Sequence, residues 1–225
     1  MPRHLDSIDK IVTKYFACVC DEPFMYKDVT YLPRPLKISP LIFRGFTCPV
    51  GCAACCPRFS LDYLPKEDKP TGLILLPRKV EFNGRNVTVH SNMQYDNKDY
   101  HCMNVDKRDG RCVVHGRQPF SCDFELIRFM EFADQAKPNM LTQKLFGRKH
   151  AMMRIDGERG TLCEMLPSDY HTVNEVVRKL ERLKAWCAHF KLKHKVNPII
   201  EHVRRWPDTT SMTVRGEYKP RRIKV

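Results

Sequence analysis

A chain of 225 residues with a 42% hydrophobic share can bury a sizeable core, as one domain with an appendage or as two small domains. Eleven cysteines are too few for a small disulfide scaffold and too clustered for incidental core use, and no window approaches the ~18 apolar residues of a membrane span. The net charge of +13 draws phosphate backbones, acidic proteins or anionic membrane surfaces without selecting among them.

The first predicted element is a short amphipathic helix over 5–17, where Leu5, Ile8, Ile11, Val12, Tyr15 and Phe16 recur at three- and four-residue steps. A proline-rich passage from Pro23 to Pro40 follows. It is predicted to be extended, because proline cannot join a helix interior and biases its predecessor away from helix. Residues 71–91 read as a hairpin turning at Asn83-Gly84, a strong two-residue turn signal. A second hairpin is expected around Asp109-Gly110, with Cys102 before the turn and Cys112 after it. The stretch 124–132 suits strand or helix, and 149–155 suits strand. The clearest helix comes late. Val173, Val176, Val177, Leu180, Leu183, Cys187 and Phe190 form one apolar stripe, and Thr172 with Glu175 fits a capping box. A short helix over 197–206 and a loose basic tail from Pro207 complete the order.

Four cysteines fall within nine residues, Cys48-Pro-Val-Gly-Cys52-Ala-Ala-Cys55-Cys56, and Cys102, Cys112, Cys122 and Cys163 follow downstream. The N-terminal residues contain no apolar stretch that could serve as a signal peptide, so a soluble, cytoplasmic protein is expected. In a reducing compartment such a thiol cluster binds metal or does redox chemistry rather than forming structural disulfides. If 48–56 is helical, with Pro49 at the first helical position, the thiols fall at i, i+4, i+7 and i+8 within an arc of about 100°. That stripe is about 12 Å long, too long for one zinc with ~2.3 Å zinc–sulfur bonds unless Gly51 distorts the helix. A polynuclear cluster or two neighbouring sites fit better.

Eight cysteines make two four-thiolate sites, or one iron–sulfur cluster with thiols left over. Arg44, Arg58, Arg111 and Arg117 lie close in sequence and would help to keep thiols deprotonated. His101 and His115, each within three residues of a candidate ligand, could replace a cysteine or hydrogen-bond a thiolate. Cys187 is expected in the core, and Cys18 and Cys20 as unliganded thiols. Trp186 and Trp206 are expected to pack the terminal helices. No Gly-x-Ser-x-Gly motif supports hydrolase chemistry.

The run Cys-x3-Cys-x2-Cys-Cys, a further Cys, then Cys-x9-Cys with proline three residues before its end resembles the bacterial YkgJ-type cysteine-cluster family. The resemblance spans 46–163 and implies a zinc- or iron-chelating domain. It assigns Cys48, Cys52, Cys55, Cys56, Cys102, Cys112, Cys122 and Cys163 as ligands. The family usually shows Cys-x-Ile-Tyr-x-x-Arg-Pro-x-x-Cys in its second half. Here that reads Cys112-Val-Val-His115-Gly-Arg117-Gln118-Pro119-Phe-Ser-Cys122, with histidine for tyrosine and glutamine for arginine. The resemblance therefore carries the metal site and no activity that depends on those two residues. A related flagellin lysine methylase, thought to use an iron–sulfur cluster, implies that some members are enzymes. No glycine-rich nucleotide or S-adenosylmethionine loop accompanies it here: Gly157-Glu-Arg-Gly160 is too short.

The expected fold is α+β. A small irregular cysteine-cluster domain with β-hairpins and flanking helices covers 1–167, a C-terminal amphipathic helical segment covers 168–206, and a basic flexible tail covers 207–225. The expected cofactor is an iron–sulfur cluster of the 4Fe-4S kind, with zinc as the alternative. Three roles suit it: a cluster-dependent enzyme or redox protein acting on a macromolecule, a non-enzymatic module, or metal storage and delivery. In the second role the basic surface docks onto nucleic acid or a larger protein assembly. Residues 191–225, with ten Lys/Arg against three Asp/Glu, carry that surface.

Overall fold

The first helix lies at the centre of the fold rather than on its surface. The computed structural model describes residues 7–34, 36–38, 40–47, 61–69, 75–92, 104, 106, 108, 112–114, 118–122, 130–132 and 166–205. An α-helical turn, Ser7–Lys10, runs into a π-helical stretch, Ile11–Phe16, and closes with Ala17–Val19; together they form α1. Ile8, Ile11, Val12, Tyr15 and Phe16 are fully buried, as the periodicity predicts. Ser7, Lys10, Ala17, Cys18 and Val19 are buried as well, so the amphipathic expectation falls short. Within the helix, the Thr13 hydroxyl donates to the Asp9 carbonyl at 2.6 Å, a local bond that competes with the main-chain ladder. The Ala17 amide reaches the Val12 carbonyl five residues back, the spacing of a π-helix.

Antiparallel ribbons surround α1. In the proline-rich passage β1 (Phe24–Tyr26) pairs with β2 (Val29–Tyr31) across Lys27-Asp28. Those two residues have φ of 47° and 61°, a left-handed turn made without glycine. The Lys27–Asp9 ion pair at 2.5 Å and the stacked rings of Phe24 and Tyr31, 4.9 Å apart, hold it. The predicted hairpin forms as β6 (Leu76–Phe82) and β7 (Arg85–Asn92), with Asn83 and Gly84 both at positive φ. The two turns are tied together, since the Asn83 amide donates to the Met25 carbonyl at 2.9 Å.

On the other edge of β7 lies β5 (Leu61–Tyr63). Two further ribbons join distant segments: β3 (Leu36–Ile38) with β8 (Met130–Phe132), and β4 (Arg44–Thr47) with β9 (Leu166–Tyr170). Residues 130–132 of the ambiguous 124–132 stretch are thus strand. The turn at 109–110, the 149–155 stretch, Trp206 and the tail lie outside the described residues.

The helix α2 (Val173–His189) starts on the expected capping box. The Glu175 amide donates to Thr172 Oγ1 at 3.2 Å, and the Thr172 amide donates to Glu175 Oε2 at 2.7 Å. The Thr172 amide bond first, and then the Thr172 hydroxyl donating to the same Oε2 at 3.1 Å, hold the Glu175 carboxyl below its usual range. The helix ends in a Schellman motif: the Leu192 amide reaches the Cys187 carbonyl and the Lys191 amide reaches the Ala188 carbonyl. Lys191 takes the left-handed position, φ 50°, usually given to glycine. The last described element is α3 (Val196–Arg204). One core joins α1, β1, β6, β7, α2 and α3, with Phe82 and Phe190 edge-to-face at 5.2 Å and Trp186 stacked on Phe190 at 6.0 Å. The architecture is α+β with small antiparallel sheets.

Candidate metal centre

The described thiols fall into two groups. Cys18, Cys20 and Cys187 belong to the core, each at most 1% exposed, which agrees with the expectation for Cys187. Burial pushes the Cys18 thiol up from 9.0 to about 12, with the nearby Cys20 adding to it. Burial raises Cys20 and Cys187 in the same way. These groups stay protonated near neutrality, which disfavours them as metal ligands. The main chain of Cys20 bridges His194, whose pKa the same burial lowers.

Cys112 and Cys122 are only half-buried. The Val113 amide donates to the Asn104 carbonyl at 2.7 Å, so the chain just after Cys112 is tied to the segment that follows Cys102. Cys122 ends a 3-10 turn, Phe120–Cys122, and its amide donates to the Pro119 carbonyl at 2.9 Å. That turn is gripped from three elements. Glu67 Oε1 accepts from the Phe120 amide at 3.0 Å and from Arg182 Nη2 at 3.1 Å. The same guanidinium donates to the Gln118 carbonyl at 2.8 Å and lies over the Phe120 ring. The Leu64 amide holds the other Glu67 oxygen at 3.1 Å. From α1, the buried Lys10 ammonium donates to the Ser121 carbonyl. The Phe120 ring packs between Tyr15 and Trp186, at 4.8 and 6.0 Å.

Beneath the turn is a buried carboxylate. Asp62 is fully enclosed and accepts from the hydroxyls of Ser7 and Ser91 and from Arg78 Nη2 at 2.9 Å. Its amide donates to Ser121 Oγ at 3.3 Å. A buried charge needs such partners, and here they join α1, β5, β6, β7 and the Cys122 turn.

The framework also ends where the other thiols begin. In the β4–β9 ribbon Thr47 lies opposite Leu166. Cys48 is the next residue after Thr47, and Cys163 precedes Leu166 by three. An antiparallel register brings those two chain ends to one end of the ribbon. In the β5–β7 pair Leu61 lies opposite Asn92, so the chain arriving from Cys56 and the chain leaving towards Cys102 share an end as well. Each residue spans at most ~3.6 Å, so Cys48 and Cys163 stay within about one and three residue lengths of fixed points.

Of the eight predicted ligands, Cys112 and Cys122 are described; Cys48, Cys52, Cys55, Cys56, Cys102 and Cys163 lie outside the described residues, as do His101 and His115. Among the described residues no three His, Cys, Asp or Glu side chains are grouped to hold a metal ion. Of the arginines expected nearby, Arg44 lies in β4, and Arg58, Arg111 and Arg117 are outside the described residues. Two described cations, Lys10 and Arg182, bond the main chain of the turn that carries Cys122. No helix among the described residues is long and apolar enough to cross a membrane. No protein-family model, no curated protein and no solved structure matches the chain.

Proposed function

We propose that the chain is a metal-binding cysteine-cluster protein of the YkgJ type. Its iron–sulfur centre is held by ligands drawn from Cys48, Cys52, Cys55, Cys56, Cys102, Cys112, Cys122 and Cys163, with zinc as the alternative metal. The observation that carries this reading is the pairing of chain ends at Thr47–Leu166 and Leu61–Asn92, which lead to four of those cysteines. A second support is the contrast in burial: the three core thiols are the ones the motif leaves out. A third is the Lys10 ammonium, which donates to the carbonyl of Ser121, the residue before Cys122, and would offer counter-charge to an anionic thiolate set. When bound, an iron–sulfur cluster supplies one-electron transfer or radical chemistry. Under this reading Glu67, Arg182 and Lys10 support the turn that carries Cys122.

The test is metal and sulfide analysis of protein purified without oxygen. Brown protein with stoichiometric iron and sulfide is expected; colourless protein with stoichiometric zinc selects the alternative. Cys55→Ser and Cys122→Ser each lose metal and lower the thermal midpoint. Unchanged metal and midpoint in both variants would overturn the ligand assignment.

The basic C-terminal stretch supports a second reading, in which the cluster domain is a non-enzymatic module docked on nucleic acid or a larger protein assembly. Residues 191–225 supply ten cationic side chains against three acidic ones. Under this reading, nucleic-acid binding weakens steeply with salt and disappears when 207–225 are deleted.

A further inference from the structure

We propose that two copies of the chain pair antiparallel along the outer edge of β2, with Asp28 of each copy set against Arg34 of the other. The inference is independent of the metal-centre reading. In the β1–β2 hairpin Tyr26 lies opposite Val29 across the two-residue turn, and Met25 lies opposite Thr30. Residues that flank such a turn exchange both main-chain bonds, so the next pair turns its N–H and C=O groups outward. On the β1 side the outward groups are taken. The Met25 amide donates to Asn83 Oδ1 at 3.3 Å, and the Met25 carbonyl accepts from the Asn83 amide at 2.9 Å. On the β2 side Thr30 is exposed, and its outward groups meet no partner among the described residues.

An open strand edge is a template for a further strand, and natural edges are often blunted by proline. Pro33 does not close this one. Alternation turns the Thr30 and Leu32 amides outward and the Pro33 nitrogen towards the β1 side, and Leu32 is kept extended by the proline after it. Lys195 Nζ holds the Arg34 carbonyl at 2.6 Å, so the far end of the edge is fixed as well. The side chains about the edge are apolar. Met25, Val29 and Leu32 are 41%, 51% and 61% exposed, three of the five large hydrophobic residues exposed among those described.

This edge is complementary to itself. A two-fold axis at Tyr31 puts Thr30 opposite Leu32 of the second copy, where the outward groups of both meet, and puts Val29 opposite Pro33. The same register sets Asp28 against Arg34 at both ends of the pairing. Both side chains are exposed and their charges are opposite, which favours a cross-strand pair. An axis at Thr30 would set Asp28 against Leu32, and an axis at Leu32 would set Arg34 against Thr30. The charges therefore select Tyr31 as the centre.

The experiment is sedimentation of the full chain over a range of concentrations in reducing buffer, where no intermolecular disulfide contributes. Wild type is expected to dimerise reversibly. Thr30→Pro removes an outward donor from each copy and no β1–β2 bond, and is expected to weaken the dimer about tenfold or more. Arg34→Asp sets like charges against each other and should weaken it too; adding Asp28→Lys restores opposite signs and should recover the dimer. That pair of variants decides the result should Thr30→Pro disturb the hairpin. A wild type that stays monomeric overturns the proposal and leaves the edge to a different partner. A dimer untouched by Thr30→Pro places the contact elsewhere and overturns it as well. No loss in Arg34→Asp, or no recovery in the double variant, overturns the pairing of Asp28 with Arg34.

Discussion

Among the described residues cysteine occupies two environments, one buried in the core and one half-buried. Cys18, Cys20 and Cys187 sit among Phe16, Trp186 and Phe190 in the common core, where burial holds the thiols protonated. They act there as small apolar side chains. Cys112 and Cys122 are half-buried on tethered turns at the margin of that core. The main chain around Cys122 is held by Glu67, Arg182 and Lys10 together. Under the proposed reading the three core thiols are not ligands, and burial separates them from Cys112 and Cys122.

The largest expected effect breaks the tether. Glu67→Leu takes the acceptor from the Phe120 amide, the Leu64 amide and Arg182, and is expected to cost about 3 kcal/mol. Metal retention should fall at least about tenfold, since Cys122 loses its support. A chain that loses stability in a urea melt but keeps its full metal content would separate the clamp from the centre. Cys187→Ser tests the other environment. It buries a hydroxyl in the aromatic core, at about 2 kcal/mol, and leaves metal content unchanged. Metal loss in that variant would merge the two groups of thiols.

Alkali sharpens the same contrast. The core thiols hold their protons more tightly folded than unfolded, so their contribution is complete below pH 9.0 and is lost as pH climbs towards about 12. Denaturation midpoints should therefore decline above about pH 9, by roughly 1 kcal/mol over the first unit. A flat profile would mean that these thiols are not buried as described. The smallest effect touches neither environment: Lys191→Gly relieves the left-handed backbone at the α2 terminus and stabilises by up to about 1 kcal/mol, with metal content unchanged.

Local signals carried much of the fold. The Thr172–Glu175 box and the stripe from Val173 to Phe190 define α2 from adjacent residues, and Asn83-Gly84 defines the β6–β7 turn. The β1–β2 hairpin was not legible, because Lys27-Asp28 adopts left-handed geometry without the glycine that advertises it. Nor was the burial of α1 on its polar side, since the partners of Ser7 and Lys10 are 55 and 111 residues away. The clamp on the Cys122 turn has the same character. Glu67 lies 53 residues from Phe120 and 115 from Arg182, and no periodicity reports such pairs. The cysteine motif itself was plain in the sequence.

The β4–β9 ribbon also imposes an order of events. Its strands lie far apart in the chain, so during synthesis at ~5–20 residues per second β4 emerges on the order of ten seconds before its partner exists. Through that interval the edge of β4 has no β9 to pair with, and the run beginning at Cys48 hangs from it. Closing so long a loop is slow and entropically costly, which makes the ribbon a late step in folding. The end of the molecule where Thr47 meets Leu166 thus cannot assemble until the chain between them has been made.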